Sequence, residues 1–264
     1  MEKSIWEFHH EEYQKIMSKI KIFSYSEYQE ILNHYKPLII DFQDVNDSLN
    51  SFCLLRHDVE FSLERALKMA KIDSDNGIKS SFFIQVLNNA YNPLSNINTE
   101  LIRKIESYGH YVGLHFYVSH LKEADFKGLK NELERQVSIL QDCVEAKINR
   151  FSYHRPPSWA LSIDTTKFSS LINAYSYPYF EFITTGNPVK VKYMADSNHK
   201  WNYGHPLEIK DYKCFHLLIH PDEWSEKGGD EFENFAGIID ESKNQIIENI
   251  DLEYKTFSTI RSLF

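Results

Sequence analysis

The chain has 264 residues, enough for one large α/β domain with a full core, and a formal net charge of -9 with no basic block. That balance argues against nucleic acid and anionic membrane as partners, and no run approaches the roughly 20 apolar residues of a bilayer span. The opening stretch MEKSIWEFHHEEYQ lacks an apolar segment and a cleavage pattern, so the expectation is a cytoplasmic protein without a signal peptide. Cys53, Cys143 and Cys214 are odd in number and far apart, and read as buried free thiols, not as a disulfide frame or a metal knuckle.

Residues 1 to 36 read as helical, with Tyr13, Ile16, Met17 and Ile20 at helical spacing and a second short helix from Ser26 to Tyr35. Pro37 stops it, and Leu38 to Phe42 forms a short strand. Phe52 to Arg56 is the first strong strand. Ser62 caps the next helix, whose buried stripe is Leu63, Ala66, Leu67, Ala70 and Ile72, and Gly77 ends it. Lys79 to Val86 is a strand, Thr99 caps a helix that Gly109 closes, and Tyr111 to His115 is a strand again. Ala124 to Val144 is an amphipathic helix, and Ile148 to Tyr153 a strand that leads into His154-Arg155-Pro156-Pro157. Tyr179 to Ile183, Val189 to Ala195 and Phe215 to Ile219 complete the strands, and Glu231 to Tyr254 is a closing helix. The alternation of strand and helix over short connections predicts parallel strands with right-handed crossovers.

The chemistry-bearing residues collect at strand exits. Asp58 and Glu60 follow an apolar run and, by strand alternation, share a face. His115, His154/Arg155 and His220 stand at three further exits. In α/β barrels such exits open on one shared pocket, so four of them carrying ionisable groups point to an active site.

The stretches LLRHDVEFSLERALKMA, GHYVGLHFY, FSYHRPP, MADSNHKW and LLIHPDEW together resemble the polysaccharide deacetylase superfamily (NodB homology, carbohydrate esterase family 4). The likeness is to the branch of bacterial surface-polysaccharide biosynthesis whose opening motif reads R-H-D-V-D. The resemblance implies a distorted (β/α) barrel of about seven parallel strands. Here that means residues 51–264, with residues 1–50 as a helical extension packed on the barrel. It implies one divalent metal, usually zinc, and hydrolysis of an N-acetyl group on an amino sugar. The sugar would be nucleotide-linked, lipid-linked or part of an oligosaccharide, in a cytoplasmic precursor.

Position by position, Asp58 matches the catalytic base, and Glu60 and His115 match metal ligands. Arg155 matches the arginine that orients the base, and Asp196 the acid that partners that arginine. Trp201 matches a residue lining the cleft, and His220 the general acid. Ser158 occupies the place of a family tyrosine, where its amide could serve an oxyanion. Two departures stand out. Glu60 replaces an Asp, and Ser119 stands where the second His of the H-x-x-x-H motif belongs. His154 and His120 are the alternatives for the third ligand. His57 alternates away from Asp58 and is expected to pack. A different N-acyl hydrolysis, or a non-catalytic glycan- or partner-binding barrel, are the competing functions.

Overall fold

The computed structural model describes residues 22–121, 125–181, 190–254 and 256–263. Its centre is a sheet of parallel strands curved into an open half-barrel, with helices packed outside it. The elements are α1 (Tyr25–Tyr35), β1 (Ile39–Ile40), β2 (Phe52–Val59), α2 (Leu63–Asp75), β3 (Ser81–Ile84), α3 (Asn96–Ser107) and β4 (Tyr111–Tyr117). There follow α4 (Phe126–Gln141), β5 (Arg150–His154), α5 (Ser158–Leu161), β6 (Ile172–Asn173), β7 (Val191–Ala195), β8 (Cys214–Ile219) and α6 (Glu231–Glu253). The order across the sheet is β6-β5-β4-β3-β2-β8-β7, and β1 pairs with the first half of β2.

Strand alternation sorts each strand into two populations. On β2, Cys53 and Leu55 face outward into a core with Tyr28, Ile31, Leu32 and Tyr35 of α1, Leu217 and Ile219 of β8, and Trp224. A second outer core lies beneath α2, α3 and α4, where Phe82, Ile84, Leu114, Phe116 and Phe151 meet Ala66, Ile102, Ile105, Leu129 and Leu133. The interior of the half-barrel is closed at its N-terminal end by Phe42, Phe52, Leu54, Phe83 and Val191. Above that plug its side chains turn polar.

Caps set the helix starts. Ser62 accepts a hydrogen bond from the Arg65 amide, and Asp230 forms a reciprocal capping box with Glu233. The helix predicted to begin at Thr99 begins one turn earlier. Ser95 is its cap, and Thr99 sits inside the first turn with its hydroxyl on the Pro93 carbonyl. Residues 179–181 are not strand, and the rest of that predicted strand lies outside the described residues, as do Tyr13, Ile16, Met17 and Ile20. The three cysteines are buried and free, as expected. Among the described residues no helix is long and apolar enough to cross a membrane.

Candidate active site

β2 leaves the sheet at Val59, and a bend carries Glu60 over the open end of the half-barrel. That bend is fixed from three sides. Tyr91 donates its hydroxyl to the Val59 carbonyl, Asn88 its amide to the Glu60 carbonyl, and Asp222 accepts the amides of Phe61 and Ser62. His115 comes from β4 and His154 from the last position of β5. Because β4 and β5 are paired in parallel with His115 opposite Ser152, the two histidines sit one alternation step apart on the same inner face.

Three donor atoms converge there. Glu60 Oε1 lies 3.0 Å from His115 Nε2 and 2.8 Å from His154 Nδ1, and the two nitrogens are 3.1 Å apart. Among the described residues this is the one group of His, Cys, Asp and Glu side chains whose ligand atoms could hold a metal ion. A tetrahedral zinc ion with donors at about 2.0–2.1 Å holds them about 3.3–3.4 Å apart. A shift of a few tenths of an ångström would therefore admit the ion.

The hydrogen bonding around His115 also suits a cation. A carboxylate can only accept, so the Ser152 hydroxyl donates to Asp58 Oδ1 (3.0 Å). The Ser152 oxygen is then free to accept from His115 Nδ1 (2.9 Å). In the neutral ring this leaves a lone pair on Nε2, aimed at Glu60 Oε1. A positive ion between two such atoms turns repulsion into attraction. Burial opposes the ionisation of Glu60, yet with no ion between them and protons on the facing ring nitrogens, the hydrogen bonds from His115 and His154 and the nearby charge of His220 prevail and hold its carboxyl well below the usual range. The donor set therefore fits a divalent metal.

Asp58 lies just beneath, 99% buried, with Oδ2 3.6 Å from His115 Nδ1 and 3.2 Å from Arg56 Nη2. Arg56 is wholly buried on the same strand face two residues earlier, and also reaches the Tyr175 hydroxyl at 2.7 Å. His220, directly after β8, turns its other edge toward the metal set, with Nε2 3.9 Å from Glu60 Oε1. Its Nδ1 is 2.6 Å from Asp196 Oδ1. Burial disfavours a charged His220, but the Asp196 carboxylate outweighs it and raises the imidazole well above its ordinary pKa. The cleft over these groups has a volume of about 780 Å³, with aromatic walls that include Phe61, Tyr175, Phe180, Tyr193 and Tyr203.

The expected residues separate as follows. Asp58, Glu60, His115, His154 and His220 come together. His154, and not His120, joins Glu60 and His115 in the candidate donor set, because the strand persists to His154 and breaks at Arg155, where φ is +45°. His120 does not reach it; its ring stacks on Tyr117 and its side chain is 42% exposed near Glu132. Ser119 only donates to the Arg155 carbonyl.

Arg155 does not orient Asp58. The turn swings it to the cleft wall, and Arg56 makes the contact with the carboxylate instead. Nor does Asp196 hold Arg155: it is fully buried and engaged by the amide and ring of His220 and by Trp224 Nε1 at 2.7 Å. Ser158 is the exposed first residue of the one-turn helix α5 and is not part of the cleft wall. Trp201 packs into the outer core beside Phe23 and Trp224, away from the cleft. His57 packs, stacked on Phe82 at 4.1 Å with its ring at 2.8 Å from the Tyr28 hydroxyl. Arg56 and Ser152 escaped sequence reasoning, although alternation from Asp58 and from His154 places both on the inner face.

Compared with protein-family descriptions and with curated proteins, the chain matches none. Among solved structures it is similar to a CE4 family pseudoenzyme from Bacillus anthracis, with 14% identity over 76% of this chain and 63% of that one, at a TM-score of 0.44. The chain therefore spans somewhat less than two thirds of the length of that protein. It is also similar to a family 4 carbohydrate esterase from Bacillus anthracis (15% identity, 83% of this chain and 86% of that one, TM-score 0.42). A third likeness is to the chitin deacetylase from the fungal pathogen Colletotrichum lindemuthianum (19% identity, 73% and 81%, TM-score 0.40).

Proposed function

We propose that this chain is a polysaccharide-deacetylase-like, metal-dependent hydrolase that removes an N-acetyl group from an amino sugar in a cytoplasmic surface-polysaccharide precursor. One observation carries the reading. A Glu–His–His donor set, a buried carboxylate and an imidazole held by a second buried acid, drawn from four strand exits, meet at the floor of one cleft. A packing or binding role does not call for that combination.

Glu60, His115 and His154 would hold the ion, which when bound supplies Lewis-acid polarisation of the acetamide carbonyl and a more acidic water. Asp58 accepts the proton of the water that attacks the carbonyl carbon. Arg56 and Ser152 hold that carboxylate in one orientation, so no reorganisation is needed during the step. His220 donates its proton to the departing nitrogen as the C–N bond breaks, so that a neutral amine leaves with acetate as the other product. Asp196 accepts from both the backbone and the ring of His220, and thereby holds the ring in the tautomer that points Nε2 at the reacting group.

The test is acetate release from a panel of nucleotide-linked, lipid-linked and simple N-acetyl amino sugars with zinc-loaded protein, with metal content measured in parallel. Zinc bound at one equivalent with acetate released is the expected result. A protein that binds zinc and releases neither acetate nor another acyl acid from any of them would overturn the hydrolase reading.

A further inference from the structure

As water adds to the acetamide, its proton passes to Asp58 and negative charge grows on the former carbonyl oxygen, which a donor fixed in advance stabilises best. Ser158, whose amide the family resemblance offered for this task, is not on the cleft wall. Tyr175 is on that wall, just beyond β6. One guanidinium nitrogen, Arg56 Nη2, serves it and the base together, 2.7 Å from the Tyr175 hydroxyl and 3.2 Å from Asp58 Oδ2. The ring is held as firmly as its oxygen. Arg56 Cζ lies 4.4 Å from the ring centre, the Phe180 ring packs edge-on at 5.1 Å, and the Tyr175 amide donates to Asn173 Oδ1 at 2.9 Å.

A guanidinium can only donate, so the Tyr175 oxygen accepts from Arg56 and keeps its own proton for another partner. Tyr193 does not take it: burial and its hydrogen bond to Tyr175 hold the Tyr193 phenol well above its ordinary pKa, as befits the donor in that contact. With both lone pairs of the Tyr175 oxygen engaged, only its O–H is left, and among the described residues no group accepts it. A hydroxyl that accepts from a cation is also the stronger donor in turn.

We infer that the Tyr175 hydroxyl donates a hydrogen bond to the oxyanion formed when water adds to the acetamide carbonyl. Its proton stays on Tyr175 throughout. The proton of the water goes to Asp58 and that of the departing amine comes from His220, so the balance of the hydrolysis is unchanged. The inference rests on the deacetylase reading, but one arm of its test is independent of turnover.

The full chain, zinc-loaded, is titrated calorimetrically with the methylphosphonamidate of glucosamine, a tetrahedral anionic mimic of the adduct, and assayed for acetate release from the N-acetyl sugar it turns over best. Tyr175→Phe keeps the ring and its packing on Arg56 and loses only the hydroxyl, and melting curves establish that it folds. It is expected to bind the mimic about 10²-fold more weakly and to lower kcat by a similar factor, with KM and zinc content at their wild-type values. A hydroxyl that only steadies Arg56 would lower kcat and leave the affinity for the mimic, which needs no base, in place. Undiminished affinity for the mimic, a rise in KM at constant kcat, or a loss seen in Tyr193→Phe but not in Tyr175→Phe would each overturn the assignment. A protein that releases no acetate yet binds the mimic through Tyr175 would sink the hydrolase and leave the donor standing. Acetate release with neither quantity changed in Tyr175→Phe would do the reverse, and a protein that neither releases acetate nor binds the mimic loses both.

Discussion

Asp196 and His220 form a short polar contact at the cleft, 2.6 Å between carboxylate and imidazole, with the Asp196 carboxylate also accepting the His220 amide and the Trp224 indole. A buried acid with three donors leaves the ring no alternative orientation and makes His220 a proton donor at neutral pH. His220→Ala is therefore expected to lower turnover by about 10²–10⁴-fold while zinc content stays at the wild-type value. Asp196→Asn should show the same split to a smaller extent. Steady-state rates alongside mass-spectrometric metal analysis check this, and an unchanged rate removes His220 from the chemistry.

Metal retention should follow the donor set. Glu60→Ala and His154→Ala are each expected to lose zinc on dialysis against a weak chelator, whereas His120→Ala keeps it, because His120 stacks on Tyr117 outside the cluster. Loss of zinc from His120→Ala would move the third ligand away from His154.

Ser152 touches no ligand atom of the set, yet it fixes the tautomer of His115 and one oxygen of Asp58. Ser152→Ala should weaken zinc affinity by about 10–100-fold, as removal of outer hydrogen-bond partners does at other metal sites. Competition with a fluorescent zinc chelator reads this out.

The outer core holds a separate titrating group. Burial pushes the Asp73 carboxyl up to about 7, against the hydrogen bonds it accepts from Ser80 and Tyr28. With the folded value above the unfolded one, its stabilising contribution is complete below about pH 4 and is lost as pH rises through about 7. His57, 3.6 Å away, and His110, which shares Ser80, are buried with lowered values and act in the opposite sense towards low pH. The wild-type profile is a sum, and the difference from Asp73→Asn isolates the acid. Denaturant midpoints between pH 4 and 8 should fall with pH in the wild type relative to the variant.

Gly113 sits where β4 passes Arg150 and Phe83. A Cβ there would lie 2.6 Å from Arg150 Cγ and 2.8 Å from the Phe83 ring. Gly113→Ala is expected to cost about 1–3 kcal/mol, measured by urea unfolding, because Arg150 is locked against Asp41 and Ser81 and cannot yield.

The run of apolar strands and amphipathic helices was readable from residue order, because alternation and helical periodicity are local and repeat over many residues. For the same reason Asp58, Glu60, His115 and His220 could be named as strand-exit residues, and the buried, unpaired cysteines foreseen. What each of these groups touches was not local. Whether Arg56 or Arg155 meets Asp58 depended on a single backbone angle at residue 155. Whether His154 or His120 completes the donor set depended on the parallel register of β4 and β5. The partner of Asp196 depended on the juxtaposition of β7 and β8, which places its carboxylate beneath the His220 amide. Contacts between strands distant in the chain are selected by the packing of the whole sheet, so the chain order determined which residues carry the chemistry, and the tertiary structure alone decided how they are paired.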